Sequence, residues 1–308
     1  MTDTLVGDAS QPLDAWPMGD RPSESALFDR FGVPAEWRPF CRALRWAFPP
    51  HAPLVDSPIS LRVGGSAPPR TRTELERASA LGLNFSFTLQ DGFDLSELTF
   101  VIESAEYLAI SSTGRVANWE CLSLATQLVQ LMVDVKLPRL VQLAALPRLE
   151  RLTAPGGLIL LGATSPALQE LSLELGAMPW PDGLRIRGPV RILEIIAAGQ
   201  MYDPPSLEHP EALRVLRISG ARSVDVDKLA PEVDLEWFEL VGAKRLLGFR
   251  RLAQMSRLDR LVLHRVAEVE DTELVDSHAL RGLAVSASDP RLQALVRGGG
   301  ARRDAESS

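Results

Sequence analysis

Cysteine, lysine and asparagine are scarce in this 308-residue chain, and long apolar runs are missing from it. Two cysteines, Cys41 and Cys121, cannot build a disulfide framework or a zinc site of three or four thiolates, so stability has to come from packing. The four histidines, His51, His209, His264 and His278, are scattered, with no HExxH, no Cys-x-x-Cys and no Cys/His cluster, which leaves a metal site without support. No G-x-S-x-G elbow, no G-x-x-x-x-G-K-[ST] loop and no G-x-G-x-x-G after a strand is present, and Gly64-Gly65-Ser66 runs into Ala67-Pro68-Pro69, which reads as a plain loop. The first twenty residues lack a basic stretch followed by an apolar one. Runs such as Leu158 to Leu161 fall far short of the roughly 20 residues that a membrane-spanning helix needs. These two absences predict a cytoplasmic chain with no membrane partner. A net charge of −7 argues against a general affinity for phosphate backbones or anionic lipid. Lys136, Lys228 and Lys244 are the only lysines among 33 basic residues. Such an arginine bias reads as the mark of a GC-rich, bacterial coding genome rather than of thirty functional guanidiniums.

What is present is a composition of 45% hydrophobic and 24% charged residues, enough for one large core or two small ones. Residues 1–25, punctuated by Pro12, Pro17 and Pro22, read as a disordered lead-in. From Ala26 to Phe48 the aromatic spacing predicts a helix pair that Pro49 and Pro50 end, with Cys41 on its buried face. Ile59, Leu61 and Val63 alternate as a strand does, Thr73 to Leu81 reads as a helix, and Leu83, Phe85, Phe87 and Leu89 alternate again. Residues 26–100 are therefore expected to form a small N-terminal α/β cap.

A repeat dominates the remainder. Six-residue segments of the form L-x-x-L-x-L, or a close apolar variant, start at Ala105, Leu128, Leu149, Leu168, Val190, Leu213, Leu235, Leu258 and Leu280. Their starts lie 23, 21, 19, 22, 23, 22, 23 and 22 residues apart. All 27 apolar positions of the template are filled by apolar residues, where a 45% background supplies about 12. With this period the chain resembles the leucine-rich repeat family, in a short bacterial form, over roughly residues 101–288. The resemblance implies an α/β solenoid of about nine repeats, with a parallel sheet on its concave face and short helices or 3₁₀ turns on its convex face. It implies a protein-binding role rather than an enzyme. The family's ninth position carries Asn or Cys, whereas this sequence has Thr113, Lys136, Gly157, Gly176, Ala198, Ala221, Ala243, Val266 and Ser288. The turns must then be held by backbone or water. The twelfth position is apolar in six repeats, at Val116, Leu160, Met201, Val224, Leu246 and Val269, which should face inward. Asp289 to Val296, with Asp289 as N-cap and Pro290 in the first turn, reads as a C-terminal cap helix, and residue 298 onward as a tail.

If the fourth and sixth residues of each repeat point inward, strand alternation turns the third, fifth and seventh to the open face. On that face Ile192, Ile196, Val215, Trp237 and Val241 become neighbours on adjacent strands, crossed by Glu194, Arg217 and Glu239 and flanked by Arg260. An apolar patch crossed by charge suits a protein partner. No catalytic residue, cofactor or metal is assigned. The contexts that fit include toxin neutralisation, as by an immunity protein, and the recognition half of a larger assembly. Two rival readings remain. Lys244, Arg245, Arg250, Arg251, Arg257, Arg260 and Arg265 stand against only Glu239 and Asp259 between residues 239 and 265, which could serve an anion or nucleic acid. No aromatics interleave them as in a single-strand groove. An enzyme would need its site within residues 26–100, where Cys41 and His51 could be imagined as nucleophile and base, yet Cys41 reads better as a small buried hydrophobe.

Overall fold

The computed structural model describes residues 24–43, 59–64, 71–135, 146–155, 165–176, 185–197, 199, 201–202, 205–271 and 284–287. The segments read as the N-terminal lead-in up to residue 23, the C-terminal cap helix and the tail lie outside the described residues. The chain divides into two compact units, Met1–Lys136 and Leu137–Ser308. The fold is a mixed α/β one, with extensive, mostly parallel sheet and, among the described residues, few and short helices.

In the first unit the strands Cys41–Ala43, Ile59–Val63, Asn84–Leu89, Tyr107–Ser112 and Gln130–Val135 lie side by side in that order. All neighbours are parallel except the first pair, where Cys41 is opposite Leu61 in an antiparallel ladder. Leu61 pairs with Phe85, Phe85 with Leu108 and Leu108 with Leu131, so the repeat begins two strands upstream of its first template segment. By that register the first template position falls on Pro58 and Gly82, neither of which is a large apolar residue. Phe85, Phe87, Leu108, Ile110, Leu131 and Val133 form the interior, each at most 4% exposed. The strand Cys41–Ala43 replaces part of the expected helix pair. The helix Glu24–Arg30 ends at Gly32, which has φ 62°, and a 3₁₀ turn at Arg38–Phe40 holds Pro39 in its first turn. Pro34 and Pro39 cannot donate to a longer helix, so the chain emerges extended at Cys41. The second expected helix forms as Arg72–Ala80, opened by a capping box in which Thr71 and Glu74 bond each other's backbone amides.

In the second unit seven parallel strands follow in chain order: Arg151–Pro155, Glu170–Gly176, Ile192–Ala197, Val215–Ser219, Trp237–Val241, Arg260–His264 and Ala284–Ala287. In the first eight repeats of the chain every template position is buried except Leu258, which is half-buried. The twelfth position builds a second, shorter parallel ladder from Met201–Tyr202, Ser223–Asp225, Arg245–Leu247 and Glu268–Val269, with Val224 and Leu246 buried in it. Between the ladders run the 3₁₀ turn Val226–Lys228 and the helix Phe249–Gln254. The last strand departs from the template by two residues: Val285, not Leu283, stands opposite Leu261. A slip of two leaves each residue on its own face, so the alternation alone cannot fix this register.

The turns after Val215–Ser219 and Trp237–Val241 are tied to the next repeat by backbone bonds. Gly220 and Gly242, with φ near 70°, donate their amides to the carbonyls of Val241 and His264 on the next repeat at 2.8 and 2.9 Å. Ala221, Ala243 and Val266 fill the buried ninth position. Backbone bonds thus do what the missing Asn ladder does in the repeat family that this sequence resembles.

Candidate functional site

The site is built by the four central strands of the second unit. Across them the register runs Ile192, Val215, Trp237, Arg260 in one row and Glu194, Arg217, Glu239 in the next. Ile196, Ser219 and Val241 make a third row. All nine residues singled out from the sequence therefore lie on one face, at strand spacings of about 4.8 Å. Ile196 is 45% exposed, Arg260 is exposed, and the other seven are half-buried.

The charges on this face are paired unevenly. Arg217 Nε lies 3.6 Å from Glu239 Oε2, on side chains 29% and 28% exposed. The Glu194 carboxylate is engaged differently, accepting the Ser172 hydroxyl at 3.1 Å from the strand on its other side. Trp237 takes two guanidiniums over its ring, Arg217 at 4.1 Å and Arg260 at 3.9 Å, from the two strands that flank it. Arg260 is directly opposite Trp237, while Arg217 reaches it diagonally from its place beside Glu239. Such stacks contribute roughly 0.5 to 2 kcal/mol each, depending on how dry they are. They account for the half-burial of a ring that the register sends outward. Trp237 Nε1 and Arg217 Nε are shielded from solvent without a hydrogen-bond partner.

The third position is not open in every repeat. Ser60, Asn84, Tyr107 and Gln130 of the first unit and Arg151 of the second are all under 9% exposed. The expectation of a uniformly open third row fails there. In one repeat after another the amides of the second and third residues donate to a single carbonyl of the preceding repeat, as Val129 and Gln130 do to Glu106 and as Glu236 and Trp237 do to Arg214. Asn84 Oδ1 accepts the Tyr107 amide at 2.9 Å inside this row. Arg151 faces Glu170 at 3.4 Å, and burial pushes the Glu170 carboxyl up from its ordinary range against the pull of Arg151.

The seven basic residues of segment 244–265 do not converge. Arg245 belongs to the second ladder, with Lys244 just before it, and Arg250 and Arg251 belong to the helix behind it. Arg260 belongs to the open face, and Arg265 sits in the turn that follows, at φ 53°. Arg257 leans on Asp234 at 3.8 Å. Arg251 is spent on main-chain carbonyls, bonding Asp227 O at 3.0 Å together with Leu229 and Ala230. An open cavity of about 590 Å³ lies beside it, lined by Asp227, Pro231, Arg250, Arg251, Gln254 and Asp271. Two acids and two bases make that lining neutral.

Elsewhere the chemistry is quiet. Burial pushes the Cys41 thiol up to about 11, and burial with nearby Asp94 does the same to Cys121, so neither is a thiolate at neutral pH. His51 lies outside the described residues. Among the described residues no three His, Cys, Asp or Glu converge as metal ligands, and no helix is long and apolar enough to cross a membrane. No protein-family model matches the chain, and no curated protein matches it in sequence.

Proposed function

We propose that this chain is a leucine-rich repeat protein whose solenoid binds another protein in the cytoplasm, without catalysis, through the face carrying Ile192, Glu194, Ile196, Val215, Arg217, Trp237, Glu239, Val241 and Arg260. The observation that carries this reading is the register of four parallel strands, which sets these side chains in three rows on one open face. A stiff sheet presents such a surface without an ordering cost on binding. Apolar side chains left open between charges are suited to a partner that buries them. The role itself is an analogy from fold to use. The neutral cavity and the dispersed arginines of segment 244–265 offer an anion or nucleic acid less than this face offers a protein.

The test uses the full chain as bait in extract of its native host, with and without nuclease treatment, beside an Ile196→Asp variant. Ile196 is 45% exposed, so the substitution leaves the fold intact. A protein retained by the natural chain and lost from the variant supports the reading. Retention that ignores Ile196→Asp and Val241→Asp, or that disappears with nuclease, overturns it.

A further inference from the structure

Around Trp237 there are more hydrogen-bond donors than acceptors. Three nitrogen-bearing side chains, Arg217, Trp237 and Arg260, meet at one ring, and among the described residues only the Glu239 carboxylate answers them. Glu239 lies on the Arg217 side, at 3.6 Å from its Nε. Arg260, exposed and with its guanidinium carbon 3.9 Å from the indole centroid, has no acidic partner among the described residues, and His264 stands exposed further along the same strand. Trp237 Nε1 lacks an acceptor as well. Val215, opposite Trp237, and Val262, opposite Glu239, are half-buried apolar neighbours of the group. Two and three strands away, on Ile192–Ala197 and Glu170–Gly176, the sign reverses. Glu194 is bonded by a serine rather than an arginine, and Glu174 is exposed.

We infer that the partner of this face carries an aspartate or glutamate side chain, set among apolar residues, that seats on the Arg260 guanidinium at the edge of Trp237. The inference rests on the protein-binding reading above and adds the chemistry and the orientation of the partner. A guanidinium offers a planar fork of donors that matches a carboxylate in two parallel bonds. Stacking on the indole holds that fork in place before binding, so less side-chain freedom is lost when the bond forms. The two neighbouring valines would be dried by the same contact, which strengthens a charge-assisted bond. The Glu194 and Glu174 end repels a carboxylate, so the partner's acid is confined to the Arg260 end and the docking direction is set.

The probe is a displayed random dodecapeptide library, panned on the immobilised full chain, with the enriched peptides then synthesised and titrated. Expected are peptides with Asp or Glu beside apolar residues that lose affinity on Ile196→Asp. Their affinity should fall at least tenfold on Arg260→Gln, recover in part on Arg260→Lys, and fall likewise when the peptide's own acid is amidated. Inorganic phosphate in large excess should not displace them. Peptides that need Ile196 but carry no acid, or that tolerate Arg260→Gln, overturn this inference and leave the protein-binding reading standing. Displacement by phosphate overturns it in favour of a simple anion site. Peptides indifferent to both residues, or no enrichment at all, overturn both readings.

Discussion

Leu216 and Arg217 are chain neighbours in opposite surroundings. Leu216 is fully buried at a fourth template position, whereas Arg217 lies on the open face between Glu239 and Trp237. Leu216→Ala should cost about 2 to 5 kcal/mol in denaturant unfolding, from lost transfer energy and a cavity. Arg217→Ala should cost about 1 kcal/mol, since a half-exposed ion pair and one ring stack are all it removes. Equal losses would show that the register is wrong. Glu150 gives a pH signature. Burial, more than the nearby charge of Glu170, raises its carboxyl above 4.5 despite Arg151 and Arg148, and its Oε2 is buried without a hydrogen-bond partner. The folded state therefore keeps this proton longer than the unfolded chain, so its contribution is full below the ordinary glutamate value and is lost as pH rises through the raised one. Glu150→Gln should raise the melting temperature at pH 7 and flatten its decline above pH 4.5, an effect weakened but not reversed by Glu170, which shifts the same way. Asp94 works in a lower window. Bonds from Ser96 and Asn118 hold its carboxyl below 3.8, so its contribution is present above that value and fades as pH falls further.

At the scale of the element, the strands were the most legible part of the sequence, because a period near 22 residues with three inward apolar positions leaves little freedom of register. Where the first of those positions is Pro58 or Gly82, alternation shows the two strands but the template does not show that they pair as the others do. Cys41–Ala43 was hidden differently, since its residues also satisfy a helical spacing and only the prolines nearby break the tie. The nine residues of the candidate face were placed by alternation alone. What alternation could not give is the pair of guanidiniums on Trp237, because that depends on rotamers reaching across strands. The turns allow a graded test. Gly220 and Gly242 share the same left-handed conformation, but a Cβ on Gly220 would sit 2.6 Å from the Ala197 carbonyl oxygen, while on Gly242 it meets nothing nearer than 3.9 Å. Gly242→Ala should cost about 1 to 2 kcal/mol for the conformation alone. Gly220→Ala should cost clearly more, and equal melting temperatures for the two variants would count against the close approach of neighbouring repeats.

At the scale of the whole molecule, the N-terminal strands are part of the repeat sheet of their unit. Removing residues 1–100 would strip the parallel partner from Tyr107–Ser112 and uncover the interior face that Phe85 and Phe87 complete. An unpaired, apolar edge of that kind associates with itself. The truncated chain is expected in the void volume of a gel-filtration column or in the insoluble fraction. A monomer with an undiminished melting temperature would show that these strands contribute nothing to the core.

The backbone-held turns carry a consequence for how such a protein can change over generations. A turn tied by a side-chain amide puts one residue per repeat under constraint. A turn tied by glycine amides to the next carbonyl asks instead for a residue that tolerates φ near 70° and a small one such as Ala221 or Ala243 beneath it, with no side chain of fixed chemistry. Repeats of this kind can diverge from one another, and gain or lose a residue or two, while their stacking persists. Around Gly220 and Gly242 the template starts lie 22 and 23 residues apart, so a turn of this kind already takes up a change of one residue in length.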